Sequence, residues 1–323
     1  MRKIGISDIF YSIFFADLTF LMFIGLFTLI SNTYGRALFA GVVKGKNIFI
    51  SNAFYYFYYP PKGQFAFLLP IPFWAGVAIL LFLYILIFAY DWNGERTHRG
   101  KNPLETPIGF IIGVGSLLYL ISIFLVLIQD LLGAPITSSF ITQDEKLYPN
   151  LLYYELIYAP FVEEIEFRIL PIGIYLFARY KLSKVNFRWY EVFLFPGRIM
   201  KRVGRKLDMA DWAVIIITSM LFGYAHYDYG GWSISKIPQA AIAGVVLAMG
   251  FMLFGPFVDI PIHFLFDGAF TVTFLPNVNP IGVGLAFLGI ILIFGAAIVT
   301  IILIALIYIR NRSGIADRSF LEG

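Results

Sequence analysis

The sequence predicts an all-α, polytopic integral membrane protein with about eight transmembrane helices around a polar intramembrane cavity. Three observations predict this fold. The 323 residues are 59% hydrophobic and only 14% charged, whereas about a quarter of the residues of a soluble domain are charged. Long apolar stretches recur along the whole chain. A few ionisable residues interrupt them, and because such residues are costly at membrane depth, they are expected to share one hydrated cavity.

Eight stretches have the length and apolar character of a membrane crossing, for which roughly 17 to 25 residues suffice. They are Ile9–Ile30, Ile71–Tyr90, Pro107–Asp130, Leu151–Tyr180, Asp211–Asp228, Ile237–Phe254, Val258–Leu275 and Ile281–Ile309. Only a tight turn at Gly255-Pro256-Phe257 separates the sixth helix from the seventh. Residues 1–323 are therefore predicted to form a single membrane domain, with its core helices within residues 150–275.

The basic residues predict the orientation of the chain in the cell membrane. Eight crossings place both termini on the same side, and that side carries seventeen of the 24 Lys and Arg residues. The loops on the opposite side carry six. Because cytoplasmic loops are enriched in Lys and Arg, both termini are predicted to be cytoplasmic. The remaining basic residue is Arg168, which lies deep within a predicted helix.

The composition excludes several classes of protein. The chain has no cysteine, which excludes disulfides, thiolate catalysis and cysteine metal sites. The net charge of +4 is explained by basic loops at a membrane surface, so no nucleic-acid partner is predicted. The lack of cysteine together with abundant Phe and Tyr favours a prokaryotic, archaeal-type membrane.

Residues 181–210 combine aromatic with basic side chains and are predicted to form a cytoplasmic interfacial segment. Trp189 and Tyr190, for example, lie between Lys184 and Arg198. Aromatic rings are enriched at membrane interfaces, and basic residues are attracted to anionic headgroups. Membrane lipids are therefore the expected partners of this segment, and a site for a specific protein partner is the alternative.

The most unusual stretch of the chain is Glu163-Glu164-Ile165-Glu166-Phe167-Arg168, which places four ionisable residues in an apolar run. Glu164 and Arg168 are four residues apart, so they can pair on one face of a helix. Glu163 lies about 100° round the helix from Glu164 and can face elsewhere. One neutralised and one free carboxylate is a pattern typical of catalytic sites.

Two histidines lie in other predicted helices. His226 follows Phe222 by one turn, and His263 precedes Asp267 by one turn. A single intramembrane histidine is explained by an interhelical hydrogen bond worth about 0.6 kcal/mol. Both histidines together with the acidic motif favour one polar cavity, although helix rise places His226 more than a turn away in depth from His263.

These three motifs, in this order, resemble the CPBP family of intramembrane proteases, which includes the type II CAAX prenyl endopeptidase. The motifs are Glu163-Glu164 with Arg168, Phe222 with His226, and His263 with Asp267. The resemblance covers about residues 150–275. It implies intramembrane proteolysis near the C-terminus of a prenylated or membrane-anchored peptide or protein.

The resemblance also implies roles for the site residues. Glu163 and His226 would hold and activate water, and His263 and Asp267 would line the oxyanion side. The chemistry agrees, since peptide hydrolysis requires a general base and oxyanion stabilisation. Glu164 would stay ionised beside Arg168. Family members often have Asn at the position of Asp267, which is therefore expected either to be protonated or to orient His263.

A metal-free, glutamate-activated water is the favoured mechanism, and zinc is the alternative. Glu163, His226 and His263 would supply the two-His, one-Glu ligand set of catalytic zinc. The His-Glu-x-x-His spacing of many zinc proteases is absent from the sequence.

Two other classes of function remain open at this point. The same fold could serve as a non-proteolytic scaffold, immunity or chaperone protein that binds another membrane helix, but binding alone requires no general base. A proton-coupled transporter would also use buried carboxylates. The absence of a broken-helix repeat disfavours it.

Overall fold

The computed structural model describes residues 47–48, 71–72, 104, 106–137, 160, 162–228, 231–274 and 280–313. Nearly all of these residues are helical. The α-helices are α1 Pro107–Gly109, α2 Gly115–Leu131, α3 Leu170–Leu182, α4 Glu191–Leu194, α5 Pro196–Arg202, α6 Met209–Asp228, α7 Lys236–Phe254, α8 Pro256–Phe274 and α9 Pro280–Ser313. Two π-helical segments precede α2 and α3, namely π1 Phe110–Val114 and π2 Ile165–Ile169.

The all-helical prediction is confirmed for most of the described chain. Four helical stretches there are long and apolar enough to cross a membrane, which is fewer than the eight predicted from the whole sequence. They are Phe110–Leu131, Met209–Asp228, Lys236–Phe254 and Ile290–Ile309. The predicted helix Ile9–Ile30 and the predicted start of the fourth helix at Leu151 lie outside the described residues.

One predicted boundary is wrong. The second predicted helix was to begin at Ile71, but Ile71–Pro72 is extended and pairs antiparallel with Asn47–Ile48. Pro70 and Pro72 surround Ile71, and a residue before proline is disfavoured in the α region. The predicted start of the third helix is correct: Pro107 opens α1, and the hydroxyl of Thr106 caps it by accepting from the Gly109 N–H at 3.2 Å.

Small residues let α6 and α7 approach closely. A Cβ atom added to Gly223 would lie 2.6 Å from the carbonyl oxygen of Ile237, and one added to Gly244 would lie 2.9 Å from Cα of Ser219. Such close backbone packing through small residues is typical of helices in membranes. It brings the end of α6, where His226 lies, against the start of α7.

The predicted tight turn between the sixth and seventh crossings is confirmed. Gly255 has a φ of 89° and connects α7 to α8, a conformation that glycine adopts at little steric cost. The carbonyl of Leu194, at the end of α4, lies directly against Gly255. A side chain at Gly255 would therefore collide with the backbone of α4.

The predicted interfacial segment packs against the helix bundle on one side. Val192, Ile199 and Met200 are buried, in a cluster that also contains Tyr180 and Phe251. Trp189 is 68% exposed. The segment therefore has a protein-facing side and an outward-facing side, which extends the sequence prediction of a simple surface segment.

An ion-pair cluster fixes this segment to the start of α6. The buried carboxylate of Asp211 accepts hydrogen bonds from Tyr175 Oη at 3.0 Å, from Arg179 Nη1 at 3.2 Å and from Arg205. Arg179 also pairs with Asp208, and this hydrogen bond lowers the pKa of Asp208 well below its ordinary value. The cluster holds the ends of α3 and α6 together.

Candidate functional site

The acidic motif precedes and enters the π2 segment at a buried position of the bundle. Glu164 and Arg168 are both 0% exposed. Arg168 Nη1 donates to Glu164 Oε1 at 3.1 Å, so the predicted pairing of these two residues is confirmed. π-Helical turns occur frequently at functional sites. No pattern in the sequence predicted the π-helical turn of π2.

Glu164 has a second partner that the sequence did not reveal. His263 Nδ1 lies 2.6 Å from Glu164 Oε1, across a separation of 99 residues. Because a carboxylate paired with arginine accepts hydrogen bonds, the Nδ1 atom carries the proton of this contact. Glu164 therefore joins π2 to α8 and fixes the orientation of the His263 ring.

The other ring nitrogen of His263 faces two acids. His263 Nε2 lies 3.5 Å from Glu163 Oε2 and 3.5 Å from Asp267 Oδ2. The side chains of these acids are 21% and 20% exposed, in contrast to the fully buried Glu164. At 3.5 Å the contacts are longer than good hydrogen bonds, so a small group can bridge Nε2 and either acid.

The ring of Phe222 lies at the centre of the site. The rings of His226 and His263 pack against it with centroid distances of 4.7 Å and 5.7 Å, both edge to face. The guanidinium of Arg168 lies 3.9 Å from its centroid. Phe222 also accepts a hydrogen bond at its carbonyl from His226 Nδ1 at 2.9 Å, which leaves Nε2 of His226 as the acceptor.

A small cavity with polar and apolar lining lies beside these residues, between α2, α6, α7 and α8. Its volume of about 30 Å³ holds one or two water molecules, since each needs about 10–15 Å³. Its polar lining consists of His226, Lys236, Gln239, His263 and Asp267. Glu163 is not among the residues that line the cavity, but it contacts His263, which does.

Helix rise along the sequence predicted that the two histidines differ in depth by more than a turn. In the structure the rings of both histidines pack against Phe222. Both histidines line one cavity.

Asp259 lies in the first turn of α8. It is 0% exposed, interacts electrostatically with Glu164, and accepts from the N–H of Ile260 at 2.8 Å. Only the tertiary fold places Asp259 beside Glu164, so no local sequence signal identified it.

Zinc is the alternative cofactor for this site. No group of three or more His, Asp or Glu side chains in the described ranges lies where it could hold a metal ion. His263 Nδ1 is occupied by Glu164, so Nε2 is the ring nitrogen of His263 that faces Glu163.

Comparison with known proteins adds one finding. Residues 147–269 match the family model of the type II CAAX prenyl endopeptidase Rce1-like proteins. The match covers less than half of the chain and includes Glu163, His226 and His263. No curated protein and no solved structure matches the chain. Together with the apolar helices, the family match supports a membrane protein of a protease family.

Proposed function

We propose, from the match of residues 147–269 to the Rce1-like family model, that the protein is an intramembrane endopeptidase. It hydrolyses a peptide bond near the C-terminus of a lipidated, CAAX-type or membrane-bound substrate. The protein lies in the cell membrane, and membrane lipids surround it. The observation that carries the proposal is the position of Glu163 beside His263 at a polar cavity.

Glu163 is the general base of the proposed reaction. Its Oε2 is buried and has no hydrogen-bond partner among the described residues. A buried carboxylate oxygen without a partner is costly, and an attacking water would supply the missing donor. Glu163 takes one proton from this water as the oxygen bonds to the scissile carbonyl carbon.

His263 stabilises the oxyanion. Its Nδ1 proton is directed at Glu164, so Nε2 can donate only when the ring is an imidazolium. The acids around the ring favour that cation. Arg168 keeps Glu164 ionised and in place, and Asp267, 3.5 Å from Nε2, orients the ring. Of the two alternatives for Asp267, this distance supports the orienting role.

His226 assists at the leaving group. Its Nδ1 donates to the Phe222 carbonyl, so its Nε2 is a proton acceptor at the cavity wall. It orients the attacking water, accepts the proton that Glu163 took from this water, and passes that proton to the amine as the C–N bond breaks. Glu163 and His226 share no direct hydrogen bond in the described structure, which leaves space for the reacting atoms.

The reaction needs no metal in this proposal. The purified protein in detergent should retain full activity in the presence of a chelator. Loss of activity that zinc restores would contradict the metal-free mechanism.

Mass spectrometry of peptide products tests the function. A farnesylated peptide ending in a CAAX sequence and the same peptide without the lipid are incubated with the wild-type protein in H₂¹⁸O. We expect the lipidated peptide to lose its last three residues and to gain one ¹⁸O atom in the new carboxylate. No turnover of either peptide, with stable capture of a membrane protein instead, would favour the scaffold function.

A further inference from the structure

Lys236 is the only charged residue of α7, and the proposed reaction gives it no role. A lysine at the end of a membrane helix commonly extends its side chain to the headgroups. Here Lys236 instead lines the polar cavity together with His226 and Asp267. Its ammonium lies 4.5 Å from the centroid of the Trp232 ring, a cation–π distance.

Gln239 lies one turn after Lys236 and lines the same cavity. Residues three apart share a helix face. The side chain of Gln239 is buried, with the residue 2% exposed. Its Oε1 has no hydrogen-bond partner within the described part of the chain. Most buried polar groups are hydrogen-bonded, so this amide indicates a ligand group in the cavity.

The start of α7 is rigidly held. Gln129 of α2 donates to the carbonyl of Ser235 at 2.6 Å, and Gly223 of α6 contacts the carbonyl of Ile237. The positive end of the helix dipole also lies here. A fixed ammonium and a helix N-terminus suit a carboxylate ligand, and Oε1 of Gln239, which is an acceptor, suits a peptide N–H beside that carboxylate.

We infer that Lys236 and Gln239 form a subsite for the C-terminal carboxylate of the substrate peptide. This inference rests on the proposed function. Lys236 forms an ion pair with the terminal carboxylate, and Gln239 hydrogen-bonds to the peptide beside it. Three extended residues span about 10 Å, and this length is the separation between the terminal carboxylate in the subsite and the scissile bond at His226 and His263. The subsite would therefore determine how many residues from the free C-terminus the peptide is cleaved.

Peptides with a C-terminal acid and with a C-terminal amide test the subsite. For the wild-type protein, KM should be about 10- to 100-fold higher for the lipidated amide than for the matched acid, the range of a charge-assisted hydrogen bond. Lys236→Met should raise KM for the acid to that for the amide, with kcat little changed. Lys236→Arg keeps the charge and should retain the preference for the acid.

Two results would overturn the subsite. One is equal KM for acid and amide with the wild-type protein. The other is an equal loss of kcat on both peptides in Lys236→Met, which would assign Lys236 to balancing the charge of Asp267. Thermal unfolding of each variant checks that it folds.

A binding measurement separates this inference from the proposed function. The released tripeptide, as acid and as amide, is titrated against the wild-type protein and Lys236→Met, with thermal stabilisation as the readout. Stabilisation of the wild type by the acid alone supports the subsite even if no lipidated peptide is cleaved. Equal stabilisation by both forms, or none, rejects it.

Discussion

At the scale of the residue, the site is organised by one carboxylate that has two cationic or proton-donating partners. Glu164 holds Arg168 at 3.1 Å and His263 at 2.6 Å. The first contact follows from helical spacing, and the sequence predicted it. The second joins residues 99 positions apart, which no local pattern encodes. The motif order indicated that these residues belong together, but only the fold shows which nitrogen of His263 faces which acid.

Phe222→Leu should impair catalysis more than stability. The substitution removes the ring that contacts Arg168 and both histidines, while the carbonyl that accepts from His226 remains. We expect destabilisation by about 1–3 kcal/mol from lost packing, and a fall in kcat of at least tenfold, measured with the lipidated peptide.

Phe251→Leu is the matched control for this variant. Phe251 is equally buried but belongs to the other core cluster. The variant Phe251→Leu should be destabilised by a similar amount and should retain the wild-type kcat per folded molecule. Equal kcat in the two variants would contradict the positioning role of Phe222.

At the scale of the element, two contacts shape the bundle: that of α6 with α7, which brings His226 against α7, and that of residues 181–210 with Gly255 and Phe251. The small residues at the contact of α6 with α7, such as Gly223 and Gly244, were visible in the sequence. The residues that they contact on the other helix were not. The basic and aromatic pattern of residues 181–210 indicated a surface segment. It did not reveal the burial of Val192, Ile199 and Met200 against the bundle, because that packing depends on the tertiary position of Phe251 and Met252.

Gly223→Ala should disturb the site through helix packing. The added Cβ would lie 2.6 Å from the Ile237 carbonyl, so α6 and α7 must separate. We expect a loss of about 1–3 kcal/mol of stability and a raised KM, since His226 and Lys236 lie at this contact.

Gly295→Ala is the control, because its Cβ meets nothing within 4 Å. Its stability should be unchanged or higher, and an equal loss in both variants would contradict the packing argument.

Asp208→Asn should show a pH-dependent stability difference. Arg179 lowers the pKa of Asp208 in the folded protein below its ordinary value of 3.8. The stabilisation is therefore present above that pH and is lost as the pH falls through the folded pKa. Thermal unfolding in detergent should show the wild type more stable than Asp208→Asn at pH 7, with the difference beginning to shrink as the pH falls below about 4. A difference independent of pH would show that the ion pair is not its cause.

At the scale of the whole molecule, composition was sufficient to predict a helical membrane protein, because lipid permits few other folds. The helix bounds from Pro107 onward agree with the sequence within a few residues for the described helices. The exception is Ile71–Pro72, which is extended although its hydropathy predicted a helix. The prolines on both sides of Ile71 disfavour the helical conformation there. The predictions that both termini are cytoplasmic and that the chain crosses eight times remain predictions.

Single cysteines test the orientation cleanly, because the chain has no native cysteine. Ile234→Cys lies at a 65% exposed position before α7, and Ser183→Cys lies at an exposed position after α3. In intact cells, a membrane-impermeant maleimide should label the first and not the second. The reverse pattern would place the termini outside.

The most direct test of the account is the cleavage rate of Glu163→Gln. Glutamine keeps the shape of the side chain but cannot accept the proton of water, so we predict a loss of at least about 100-fold in kcat, the contribution of a general base, with unchanged thermal unfolding. Glu191→Gln makes the same change in an ion pair with Arg202 outside the site and should remain active. A fully active Glu163→Gln would contradict the central claim that Glu163 activates water at a site it shares with His226 and His263.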